Sequence, residues 1–314
     1  MKAKDTKRSH LRPMLRAMVR GAYDVQDLRI RTGLRVVANF KAKLGQAPGI
    51  REKKLNKEAQ ELIAKLRGEH KRITDGIVGT PVPAGFKGEE LISTFAEFCL
   101  VQEYNTMLAA EKAHFKHVLE FLEEFPLWTN FLEPIKGIER KMAGVILSEF
   151  DISKARCASS LWKYAGLDVG PDGAGRSKRE AHQIVVDYID KDGKPQTRKS
   201  LTYNPWLKSK LIGVLAGSFI MNKTPIYSDV YYNTKHRLDS DPVMGKAQDG
   251  TKLKGGTVRP GWRHSRAMRK MIKVFLGDLY EAWRPLEGLP VFNPYAEAKL
   301  GMPPHGDEGL AEAG

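Results

Sequence analysis

Two stretches of this chain carry apolar residues every three or four positions, the spacing that gives a helix one buried face. The first, Glu89–Phe125, aligns Leu91, Phe95, Phe98, Val101, Leu108, Phe115, Val118 and Leu122. A helix of that length suits packing within the chain or a coiled-coil seam with a second copy, so these eight residues are the expected contacts of a homodimer. The second, Ser265–Trp283, aligns Met268, Met271, Ile272, Phe275, Leu276, Leu279, Tyr280 and Trp283. Shorter helical patterns cover Leu55–Arg72, Trp128–Leu167, Pro205–Met221 and Tyr227–Lys235. His182–Ile189 and Gln196–Tyr203 read as strands, and the turn sequence DKDGKP between them predicts a β-hairpin. Glycine and proline break the pattern at Gly45–Ile50, Gly79–Gly88, Pro126 and Gly166–Arg179, and Asp239–Gly261 reads as a basic loop. The expected fold is mainly α with one small β-hairpin: a basic segment over 1–45, a helical domain with the long helix over 50–126, a second helical domain over 127–285, and a tail over 295–314 whose glycines, prolines and acids predict disorder. No internal repeat is visible.

Composition sharpens this picture through charge. The 314 residues include 41% apolar ones, enough for a core, but the net charge is +15 and the sequence pI about 9.6. Such an excess of lysine and arginine favours polyanionic partners, because it displaces counterions from a phosphate backbone. No stretch approaches the roughly 20 apolar residues of a membrane span, and the first residues, MKAKDTKRSHLRPMLRAMVRG, hold no apolar signal core. The expectation is a cytoplasmic protein, nucleoid-associated in a bacterium, with no membrane partner. Cys99 and Cys157, the only cysteines, are too few for a disulfide framework and are expected to be buried thiols. His114 and His117 share a helix face with no third ligand in view, so they read as surface residues and no metal site is expected.

The cations cluster. Residues 1–45 hold Lys2, Lys4, Lys7, Arg8, Arg12, Arg16, Arg20, Arg29, Arg31, Arg35, Lys41 and Lys43 against Asp5, Asp24 and Asp27, the makings of a nucleic-acid arm or a solvated helix face. Lys252, Lys254, Arg259, Arg263, Arg266, Arg269, Lys270 and Lys273 form a second run that no acid interrupts between Asp249 and Asp278. Of the aromatic residues set among cations (Trp206, Tyr231, Tyr232 and Trp262), Trp262 is the candidate to stack on a base and the others read as core anchors. The loop Gly170–Arg179 couples glycines, which let backbone approach a phosphate, to Arg176, Lys178 and Arg179.

One segment carries a motif. In Phe131–Phe150, FLEPIKGIERKMAGVILSEF, two short helices would meet at Lys136-Gly137-Ile138, with Met142, Ala143, Ile146 and Leu147 turned inward. This is the pattern of a helix-hairpin-helix, whose turn glycine brings backbone N–H groups to a phosphate while the next helix offers its N-terminal dipole. Lys136, Arg140 and Lys141 would add charge, although Glu139 stands where the usual form has a second glycine. An ordinary packing unit is the alternative.

From Gly137 to Leu167 the chain resembles the C-terminal domain of the insertion sequence one-ten family of transposases, the bridge-RNA-guided recombinases related to the Piv invertase. Ser148-Glu149-Phe150-Asp151-Ile152-Ser153 matches the family's "E-x-G-D-I-S-x-F" turn and Leu161-Trp162-Lys163-Tyr164-Ala165-Gly166-Leu167 its "L-x-x-Y-x-G-L" helix. More loosely, Asn204–Leu211 resembles its "G-N-x-x-L-R-x-x-L", Tyr231–Lys235 its aromatic segment, and Ser265–Trp283 its last helix. The resemblance implies a DNA partner before an RNA one. The family's RuvC-like domain with four metal-binding acids has no counterpart here, since Asp24, Asp27 and Asp75 lie in helical, basic surroundings. Its serine nucleophile would fall at Gly173-Ala174-Gly175, where no hydroxyl stands; Ser177, with His182 as the only nearby base, is the shifted candidate. The expected function is therefore nucleic-acid binding by a relative of mobile-element transposases, with the helix-hairpin-helix and the second basic run on one positive face. The alternatives are an active recombinase using Ser177, for which Mg2+ would be the cofactor, and a dimeric protein that binds an acidic partner.

Overall fold

Helices make up most of the computed structural model, which describes residues 10–47, 49–77, 81–170, 172–240 and 260–292. The chain divides into two compact units, Ala17–Glu120 and a second made of Met1–Arg16 with Phe121–Gly314.

Most of the described part of the basic N-terminal segment is a helix, α1, Leu11–Lys43, whose residues from Ala17 onward belong to the first unit. Asn56 caps α2, Lys57–Gly76, by accepting from the amide of Ala59 at 2.9 Å. The long amphipathic pattern becomes α3, Phe95–Phe121, which starts later than its apolar stripe. Thr94 and Glu97 set that start as a capping box: the Thr94 hydroxyl accepts from the amide of Glu97 (3.2 Å), and the Glu97 carboxylate accepts from the amide of Thr94 (3.1 Å). Phe40, Ile63, Leu66, Ile73, Leu91, Phe98 and Val101 share one apolar core. Leu91, Phe98, Val101, Phe115, Val118 and Leu122 are all buried in the single chain, with Phe95 and Leu108 half-buried. The stripe expected to meet a second copy is therefore filled by the chain's own packing. Cys99 also departs from expectation: it lies exposed, one position off the Phe98–Val101 stripe. His114 and His117 are exposed on α3.

The second unit is built around α4, Arg140–Glu149, buried without interruption from Met142 to Glu149. Its terminal carboxylate, Glu149, accepts from Arg16 at 3.3 Å and from Asn204 at 2.6 Å, so the buried charge is matched. The short α5, Ala158–Tyr164, and the run of α6 (Pro205–Lys210), a π-turn (Leu211–Leu215) and α7 (Ala216–Met221) follow. Helices α8, Tyr227–Ser240, and α9, Pro260–Leu286, pack against each other, and α5 also packs on α9. Phe275 of α9 centres an aromatic cluster with Phe131, Phe219 and Tyr227, its ring 5.5 Å from each of the latter two. Tyr231 is buried and Tyr232 exposed. The β-hairpin is as expected: β1, Gln183–Ile189, pairs antiparallel with β2, Pro195–Leu201, in the register Gln183↔Leu201 to Ile189↔Pro195. Its turn is closed by Asp190, whose carboxylate accepts from the amides of Asp192 and Lys194, and by Gly193 at φ +76°. The tail over 295–314 and most of Asp239–Gly261 lie outside the described residues, as do Lys252, Lys254 and Arg259.

Candidate nucleic-acid interface

The loop after α5 is folded on itself by its own side chains. Arg176 donates to both carboxylate oxygens of Asp168, at 2.6 Å through Nη2 and at 3.2–3.3 Å through Nε. Backbone bonds close the same loop: Gly170 N–H to the Ala174 carbonyl (2.7 Å) and Arg176 N–H to the Asp168 carbonyl (3.1 Å), with Gly173 at φ +72° making the turn. The loop thus has a fixed shape.

Next to it stand three residues in a relay. The buried ring of His182 accepts the amide N–H of Ser177 at Nδ1 (2.9 Å), so Nδ1 is unprotonated in the neutral ring and the proton sits on Nε2. Nε2 donates to Asp172 Oδ1 at 3.0 Å, and the Ser177 hydroxyl lies 3.1 Å from Nδ1. Arg179 donates to Ser177 Oγ (3.0 Å) and pairs with Asp172 (3.1 Å). Gly170 makes room for the ring: a Cβ there would stand 2.6 Å from Nε2 of His182. His182 is a base held in one tautomer by a carboxylate, facing a hydroxyl.

The first half of α9 lies across from this loop. Trp262, Arg266, Arg269, Lys270 and Lys273 follow one another at helical spacing beside the apolar stripe. Together with Arg179 and the Gly173–Gly175 turn they line a cavity of about 590 Å3. The approach is close: a Cβ on Gly175 would fall 1.3 Å from Nη1 of Arg269, so the guanidinium lies directly on loop backbone. Five cations line the cavity against one carboxylate, Asp168, which Arg176 already holds. Burial depresses the Arg269 guanidinium, with Tyr203 and Asp168 opposing; burial and then the Arg269 charge depress Lys273. Lys208 behind them, donating to the Arg176 carbonyl, is pushed down to about 8 by burial and by Arg269. Arg269 and Lys273, partly buried in a lining that holds a single carboxylate, are arranged to hold an anion.

Not every expected residue is free to do so. Arg176 is committed to Asp168, and Arg263 pairs with Asp239. Lys178 is exposed. The guanidinium carbon of Arg266 stands over Trp262, 5.1 Å from its ring centre. Gly137 takes a left-handed φ of +94° and α4 follows it, but a five-residue π-turn, Trp128–Leu132, stands where the first of the two expected short helices would be. The carbonyls at Gly137 face the protein, Lys136 O accepting from Thr224 and Gly137 O from Ser218, both at 2.7 Å, and Ile138 is buried. Arg140 bridges Glu123 (3.3 Å) and Glu133 (3.7 Å) and covers Trp128. With Glu123, Glu124, Glu133 and Glu139 in the same segment as Lys136, Arg140 and Lys141, the hairpin carries no excess of positive charge. None of its residues lines the cavity. The expected single positive face is thus centred on α9 and the Asp168–Arg179 loop. Lys273, the last member of the second basic run, lines the cavity with them. Lys208, outside the lining, supports the loop from behind through the Arg176 carbonyl, and nothing in the sequence pattern pointed to it.

Cys157 is half-buried at the start of α5; burial alone would raise its thiol, but the Ser159 and Ser160 hydroxyls hold it below the usual value. Among the described residues no group of three or more histidine, cysteine or acidic side chains could hold a metal ion, and no helix is long and apolar enough to cross a membrane. Comparisons with protein-family models, with curated proteins and with solved structures find no match.

Proposed function

We propose that this protein binds nucleic acid through the α9 face and the Asp168–Arg179 loop. The carrying observation is the charge of the cavity, whose lining holds five cations and one carboxylate, Asp168, beside an aromatic ring; Arg176 holds Asp168, and Arg179 pairs with Asp172. Phosphates supply the missing anions, and Trp262 with Arg266 offers flat surfaces for a base. DNA is the partner favoured over RNA, and descent from mobile-element transposases is part of the same reading. Its support is the match at Leu161–Leu167 and Gly137, two glycines with left-handed φ at the positions where the family motifs have them. Fluorescence anisotropy with duplex DNA, single-stranded DNA and structured RNA across a salt series tests the proposal. The expected result is tight binding whose logarithm falls with log salt at a slope of about −3 to −4, as for some four neutralised phosphates. No binding of any of the three at low salt would end the reading and move the positive face to an acidic protein.

A second reading is favoured by the relay at Ser177. If the chain cuts strands, Ser177 Oγ would bond to the scissile phosphorus as the sugar oxygen leaves and takes a proton from water; His182 Nδ1, once released from the Ser177 amide, would take the hydroxyl proton, with Asp172 holding Nε2–H. Ser177→Ala is then expected to abolish nicking of supercoiled plasmid while leaving anisotropy unchanged. Undiminished strand transfer by that variant would remove Ser177 from the chemistry.

A further inference from the structure

The depth of the cavity narrows the kind of nucleic acid it suits. Its cations stand at two levels. Arg179 and Arg266 are exposed at the rim, whereas Arg269 and Lys273 are half-buried deeper in, with Leu167 and Val274 beside them. A duplex is a stiff rod that keeps its bases stacked inside and its phosphates on the outside. Laid over this mouth, it would meet the rim and leave the inner cations unpaired. A nucleotide free of the stack is different: its phosphate can pass the rim, and its base follows as a flat, partly apolar body.

The walls match those two parts. On one side the Gly173–Gly175 turn presents backbone with scarcely a side chain, and Gly175 lies against the Arg269 guanidinium. Trp262, with the Arg266 guanidinium carbon 5.1 Å from its ring centre, also lines the cavity, and both groups are of the kind on which bases stack in single-strand binders. A volume of about 590 Å3 is within the range of small-ligand sites rather than of grooves. We infer that this cavity receives one unpaired nucleotide of a bound strand, its phosphate on Arg269 and Lys273 and its base against Trp262 and Arg266. This rests on the nucleic-acid reading above and adds to it a requirement for an unpaired nucleotide. Taking a base out of an intact stack costs unstacking energy, least where the nucleotide is already unpaired. The protein therefore discriminates structure in the strand without reading its sequence.

The test uses the full chain and three labelled duplexes of equal length: perfectly paired, with one bulged adenosine, and with an abasic residue at the bulge. The bulged duplex is expected to bind roughly tenfold more tightly than the paired one, the preference stacking of one base would confer. The abasic duplex should lose most of that gain, and Trp262→Ala should bring the ratio of bulged to paired affinity close to one, a ratio read within the single variant whatever its overall affinity. A 2-aminopurine at the bulge should change its emission on binding. Equal affinities for all three duplexes, with 2-aminopurine emission unchanged, would overturn the inference and leave the nucleic-acid reading standing. No binding to any would overturn both. Adenosine 5′-monophosphate separates a free nucleotide from one within a strand. Competition only at millimolar concentration is expected, and competition at micromolar concentration would reassign the cavity to a free nucleotide and overturn the proposal.

Discussion

Replacing Arg266, Arg269 and Lys273 together by alanine is expected to weaken nucleic-acid binding roughly a hundredfold or more and to flatten the salt slope by about 2 to 3. Lys136→Ala/Arg140→Ala/Lys141→Ala is expected to change affinity less than about threefold, because Arg140 already spends its charge on Glu123 and Glu133. The two variants should also part in stability. Arg269 and Lys273 are depressed by burial among cations, so the folded state gives up charge–charge repulsion and desolvation when they are removed. The cavity variant should melt no lower than the parent while losing its ligand. A binding loss without a loss of fold is what a functional cation cluster gives; a cluster holding the fold together would give both. If the hairpin variant lost as much binding as the cavity variant, the interface would have to extend to the helix-hairpin-helix turn. If the cavity variant bound normally, the assignment of the α9 face would be wrong.

That prediction reverses the weight the sequence placed on the two basic regions, and the reason is physical. The positions of cations can be read from a sequence, and here α9 and the loop were both found that way. Which cations are already matched is a tertiary fact. Asp168 is eight residues from Arg176 across a turn, Asp239 lies on another helix from Arg263, and Glu123 reaches Arg140 from the far side of Pro126. The relay is a milder case. Ser177 and His182 were visible as a pair, but Asp172 became part of it only once the loop closed and brought its carboxylate to Nε2.

The elements that could be read shared one property: an unbroken apolar period closed by a recognisable cap or breaker. The α9 stripe, the β-hairpin with its Asp-Gly turn, and α2 behind Asn56 all have it. Helix α1 does not. Between Ala22 and Phe40 its packed side mixes Gln26, Arg29, Thr32 and Gly33 with Val36 and Val37, so the apolar period is interrupted in sequence. Its partners explain the exceptions. Gln26 and Arg29 both donate to the buried carboxylate of Glu111, and a Cβ at Gly33 would meet the Tyr104 ring at 2.9 Å. The misplacement of Cys99 has no such excuse. It lies between Phe98 and Val101 but off their face, and residue type was given more weight than position.

Gly166→Ala should destabilise the protein by about 2 to 4 kcal/mol, the sum of a left-handed backbone cost and an overpacking cost. Gly166 ends α5 in a Schellman turn: its own N–H reaches the Lys163 carbonyl at 3.0 Å, and that of Leu167 reaches Trp162 at 2.8 Å. The turn needs φ near +66° at Gly166, and a methyl group there would stand 2.4 Å from Cδ2 of Tyr203. Tyr203 is itself buried, with the Lys208 ammonium 4.9 Å from its ring centre, so the ring cannot withdraw without disturbing the layer beneath the cavity. Gly173→Ala separates the two costs. Its φ is +72°, but a Cβ there meets nothing within 4 Å, so only the backbone cost of about 1 kcal/mol applies. Thermal melts should place Gly166→Ala roughly 5 to 15 °C below the parent and Gly173→Ala within about 4 °C of it. Equal shifts for the two would show that Tyr203 does not close over Gly166. A larger loss at Gly166, accompanied by weaker nucleic-acid binding than Gly173→Ala shows, would tie the turn of the "Y-x-G-L" segment to the shape of the cavity through Tyr203 and Lys208.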